Sequence, residues 1–76
     1  MKELRSLRNL AGLTQFQLSA RSGVSRMLLG LCENGQAKLG ADEEDAVRKV
    51  LLHALHKRAA QIEAVLSSAE TPQAEV

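Results

Sequence analysis

Glycine spacing sets the first constraint on this chain. Gly12, Gly23 and Gly35 each close a short segment and Gly40 follows, after which neither Gly nor Pro occurs between Ala41 and Thr71. Short segments closed by a residue that turns left-handed without strain suit helices of two or three turns. The uninterrupted stretch suits one long helix or two that abut. The residues filling these segments agree: 13 Leu and 11 Ala stand against 5 Val, 1 Ile, 2 Thr and a single aromatic, Phe16. Straight-chain residues outnumber the β-branched and aromatic types that strands prefer, which predicts an all-α fold. At 76 residues there is room for one domain, burying about 60% of its unfolded surface, and little room for an elaborate catalytic cleft.

Local signals place the elements. Leu4, Leu7, Leu10 and Ala11 keep helical phase and Gly12 stops them, so the first helix covers about 2–11, with Leu13 packing back on its end. Thr14 and Gln17 form a capping box for a second helix over 14–22. Ser25 caps a third over 25–33, closed by Asn34-Gly35. Leu18, Leu29 and Cys32 are expected to meet Leu7 and Leu10 in the core. Asp42 is expected to cap the C-terminal helical segment, 42–68, whose Glu43, Glu44 and Asp45 complement the helix dipole. Residues 69–76, with Thr71-Pro72, read as a flexible tail.

Charge is divided unevenly. Residues 1–41 carry Lys2, Arg5, Arg8, Arg21, Arg26 and Lys38 against Glu3 and Glu33, a net +4, whereas the remainder is net −3. A basic N-terminal half points toward a polyanion. No paired carboxylates, nucleophile arrangement or phosphate-cradling Gly loop is present, so the chain reads as a non-enzyme without a cofactor. His53 and His56 make too few ligands for a metal site, and Cys32 suits a small core slot. No apolar run is long enough for a membrane span, and the Met-Lys-Glu-Leu-Arg start with one cysteine reads as cytoplasmic.

The most informative stretch is Leu13-Thr14-Gln15-x-x-Leu18-Ser19-x-x-Ser22-Gly23-Val24-Ser25-Arg26-x-x-Leu29-x-x-Cys32-Glu33-Asn34-Gly35. Two short helices joined at Gly23, with Val24 as a buried plug, fit a helix-turn-helix unit that projects its second helix toward a major groove. Ala11-Gly12-Leu13-Thr14-Gln15, Ser22-Gly23-Val24-Ser25-Arg26 and Glu33-Asn34-Gly35 resemble, in order and spacing, the lambda-repressor-like helix-turn-helix family of Cro and xenobiotic-response-element type. The resemblance runs from Leu4 to about Leu55. It implies a compact domain of four to five helices that binds operator DNA as a dimer, often repressing its own promoter.

Carried over by position, the resemblance puts Gln15 on a phosphate and Ser25, Arg26, Met27, Leu28, Gly30 and Leu31 on the reading helix. Asn34, Gln36 and Lys38 fall in the loop that holds the DNA backbone. Arg26 suits guanine O6 and N7 or a phosphate. Met27 and Leu31 stand where the family usually has polar residues; they suit thymine methyl groups or, with Leu28, a protein-binding face. Gly30 suggests that another backbone approaches closely. The alternative to a DNA-binding repressor is a protein-binding module, such as an antitoxin that neutralises a toxin and also binds its own promoter. Val47, Leu51 and Leu55 are expected to pack on the first and third helices. Leu51, Leu55, Ala59, Ile62, Val65 and Leu66 are expected to form a homodimer interface that spaces two reading helices over a palindromic site.

Overall fold

The helix ends explain why the chain turns where it does. In the computed structural model, which describes the backbone of residues 3–74 and the side chains of residues 3–68, four α-helices follow one another: α1 (Leu4–Leu10), α2 (Gln15–Ser22), α3 (Arg26–Glu33) and α4 (Ala41–Ala74). At the end of α1, Gly12 (φ 74°) donates to Asn9 O and Leu13 to Arg8 O, at 3.0 and 3.1 Å. This double closure satisfies two carbonyls that would otherwise lack partners and directs Leu13 into the core. The end of α3 repeats it, with Gly35 N–H on Cys32 O and Gln36 N–H on Leu31 O. The Thr14–Gln17 capping box and the Ser25 cap, which accepts from Leu28 N, both form.

The start of α4 departs from the sequence expectation. Gly40 rather than Asp42 precedes the first turn, and the Glu43 carboxylate accepts from Gly40 N–H at 3.0 Å, leaving Asp42 inside the helix. Asp42, Glu43 and Glu44 still lie in the first turn, where they complement the dipole. The helix is single, and it continues to Ala74 through the positions expected as tail; residues 1–2 and 75–76 lie outside those described.

Leu4, Leu18, Leu29 and Val47 are fully buried, joined by Ala11, Leu13, Val24, Leu39, Leu51 and Ala54. Each large aliphatic side chain contributes about 1.5–3 kcal/mol. α4 rests on α2 and α1 rather than on α1 and α3, while α3 packs against α2 and α1. Leu7, Cys32, Val50 and Leu55 line the margin of the core. Leu10 does not join them and is 63% exposed, because it lies about a quarter turn round the helix from the Leu4–Leu7–Ala11 stripe. Leu51, expected both to pack on the head and to join a dimer interface, is buried within the chain and so is not free for the second role.

The result is a small helical head from which α4 projects. The molecule measures 54 × 19 × 18 Å, and 34 residues of helix account for about 51 Å of that length. From His56 to Ser68 every residue is exposed. Among the described residues no helix is long and apolar enough to cross a membrane.

Candidate nucleic-acid interface

α3 offers its first turn to solvent. With Ser25 satisfying the cap, Arg26 is exposed and its guanidinium carbon lies 5.8 Å from the centre of the exposed Phe16 ring on α2. A cation over a ring at this distance gains about 0.5–1 kcal/mol at an exposed site and limits where the guanidinium swings. Met27 is 77% exposed, Leu31 is exposed and Leu28 half-buried. These residues form a face with one cation at its start and apolar side chains along it.

Gly30 sits on the same helix. A β-carbon there would come no closer than 3.9 Å to any neighbour, the nearest being Gln15 Nε2. Nothing within the chain therefore requires glycine at this position. Gln36 and Lys38 are exposed in the connection to α4, and Lys38 has no acidic partner within 4 Å among the described residues.

What holds α3 in place is a charge cluster that the sequence reading missed. The Glu33 carboxylate, its side chain wholly inaccessible, accepts from Arg8 Nε at 2.7 Å and Arg8 Nη2 at 3.1 Å, a two-pronged pairing. Gln15 Nε2 donates to it at 3.2 Å and Arg5 Nε at 3.4 Å. Arg5 also reaches Asn34 Oδ1 at 2.8 Å, and Arg8 donates to Leu13 O at 3.0 Å. One carboxylate at the end of α3 thus ties together α1, the start of α2 and the turn after α3.

The cluster revises two expected DNA contacts. Gln15 is engaged by Glu33, so only its second amide hydrogen remains for a phosphate. Asn34 is engaged through its oxygen, which leaves its NH2 group as the donor. A sequence signal for the cluster did exist: Glu33 is the only acidic residue between Glu3 and Asp42, and Arg5 and Arg8 stand three apart on one helix face.

The Arg8 hydrogen bond holds the Glu33 carboxyl below its ordinary pKa against the opposing effect of burial, with Gln15 and Arg5 adding to the lowering. The same bond raises Arg8. A carboxyl with a lowered folded pKa stabilises the fold above its unfolded pKa of about 4.3, and that stabilisation disappears as pH falls through the folded value. Urea titrations at several pH values are therefore expected to show an acid limb below about pH 4 that is reduced in Glu33→Gln. An identical acid limb in wild type and variant would separate Glu33 from acid stability.

Burial pushes the Cys32 thiol up, which disfavours the reactive thiolate. Among the described residues no three His, Cys, Asp or Glu side chains gather as a metal site would require. No family model, curated protein or solved structure matches the chain.

Proposed function

We propose that this chain is a sequence-specific DNA-binding regulator, a homodimeric repressor of helix-turn-helix type in which α3 enters the major groove. The observation that carries the reading is Arg26, exposed in the first turn of a helix whose far end is fixed by the Glu33 cluster. Base edges are met by the N-terminal residues of such a helix, and a rigid mounting keeps Arg26 where a guanine would be. Met27 and Leu31 supply contacts for thymine methyl groups, and Gly30, which adds no side chain between them, keeps that face low. Lys38 and the Asn34 amide donate to phosphates on the flank. α4 supplies the dimer contact through Leu55, Ala59, Ile62, Val65 and Leu66, of which the last three are exposed large apolar residues.

Fluorescence anisotropy on duplex DNA from upstream of the chain's own gene, beside a scrambled duplex, tests this. The native duplex is expected to bind more tightly, with affinity falling as salt rises because phosphate contacts release counterions. Arg26→Ala is expected to weaken it by about 5- to 150-fold, the equivalent of about 1–3 kcal/mol for a guanine contact. Equal, weak binding to both duplexes that ignores Arg26 would contradict the reading.

The exposure of Met27 and Phe16 favours one second reading, a protein-binding face on α3 as in an antitoxin. On that reading Met27→Ser abolishes capture of a protein encoded beside the gene while DNA affinity stays low.

A further inference from the structure

Resting on the dimer reading above, we propose that two copies of α4 pair antiparallel, Leu55 against Leu66 of the second copy and Ala59 against its Ile62. The residues concerned, Leu55, Ala59, Ile62 and Leu66, recur at spacings of four, three and four, the seam of two helices packed with interlocking side chains. All but the half-buried Leu55 are exposed in the single chain.

Three observations choose the direction. A parallel pair would set each seam residue against its own copy, and two Ala59 methyl groups facing each other would leave a gap between the leucine and isoleucine layers. The antiparallel register opposes Ala59 to Ile62 and fills every layer.

Next, α1 and α4 enclose a groove of about 450 Å³ lined by Asn9, Leu10, Leu55, Arg58, Ala59 and Ile62. Its floor and its exposed Leu10 need an apolar cover, and the bare half of α4 needs a surface to cover. In the antiparallel pair Ile62 and Leu66 of each copy fall on the groove of the other. Arg58 does not obstruct this seam, because its guanidinium is turned over Gly12 at the end of α1.

Last, the register fixes the distance between heads. The two-fold axis crosses α4 between Ala60 and Gln61, and α4 is anchored in the head by Val47 and Leu51, on either side of Lys49. The two Lys49 positions are then about 23 residues of helix rise apart, about 34 Å. Successive major grooves on one face of DNA are about 34–36 Å apart, so the pairing separates the two heads by a length of the same order.

Disulfide trapping reads the register directly. In a Cys32→Ala background, Leu55→Cys and Leu66→Cys chains are mixed and oxidised. The mixed disulfide alone is expected, since like positions lie about 16 Å apart along the antiparallel pair and disulfide Cα atoms must come within about 7 Å. Disulfides within each variant alone would show a parallel pair, overturning the register but sparing the dimer. No disulfide, with a monomer mass by light scattering, would overturn both.

Because Leu55 borders the core, a second measurement avoids it. Spin labels at the exposed Lys49→Cys position are expected about 34 Å apart or somewhat more, whereas a parallel pair holds them under about 20 Å. A short distance would overturn the proposal.

Discussion

Glu33→Ala is expected to be the most damaging single substitution in the head, lowering stability by about 3–5 kcal/mol. The reason is what stays behind: Arg8, only 13% exposed, keeps its charge and loses both carboxylate oxygens, retaining only Leu13 O, while Gln15 loses its bond to Glu33 and Arg5 is left with Asn34 alone. A domain of this size has on the order of 4–11 kcal/mol in total, so the loss is a large share of its stability. Urea unfolding followed by circular dichroism measures the loss. Glu33→Gln preserves the shape and part of the hydrogen bonding, and falls between wild type and Glu33→Ala. A midpoint for Glu33→Ala within experimental error of wild type would show that the cluster does not hold α3.

The second large effect is expected from Ile62→Lys combined with Leu66→Lys. Both positions are exposed in the single chain and far from the head core, so the head keeps its fold. Two lysines on the seam replace buried apolar contacts with charges that must stay in water, and light scattering is expected to report a monomer. The functional consequence is larger than the structural one. Linking two half-site contacts multiplies affinity by about 10²–10⁴, and a monomer forfeits that factor while retaining the weak contact of one α3. Helical signal should fall as well, because a half-helix without a partner lacks the packing that stabilises it. A variant that remains a dimer would place the interface elsewhere.

The parts of the fold legible in the sequence were those governed by neighbours along the chain. Gly12, Gly35, the Thr14–Gln17 box and Ser25 specify helix ends through hydrogen bonds spanning three to five residues, and each end forms as its residues indicate. Leu18, Leu29 and Val47 announce themselves by helical phase.

What escaped depends on distance in sequence. Glu33 meets Arg8 across 25 positions, and no local pattern states that a lone acid at a helix end will be drawn inward by two arginines from another helix. Gln15 looked like a free phosphate donor because its partner lies 18 residues away. Leu10 looked like core because it shares helical spacing with Leu7; only the packing direction of α1 shows that it faces the groove beside α4. Leu51, offered by its helical phase both to the head and to a dimer interface, is taken by the head, since one stripe on α4 serves the head first and turns to solvent only beyond it.

On the proposed function, the exposed face of α3, mounted on the Glu33 cluster, is the surface that meets DNA. The most direct test is an amide chemical-shift map of 15N-labelled protein titrated with the duplex from upstream of its own gene. The largest changes are expected at residues 25–31, smaller ones across 34–38, and little change in the projecting part of α4. Changes confined to α4, or none at duplex concentrations that saturate the anisotropy signal, would contradict it.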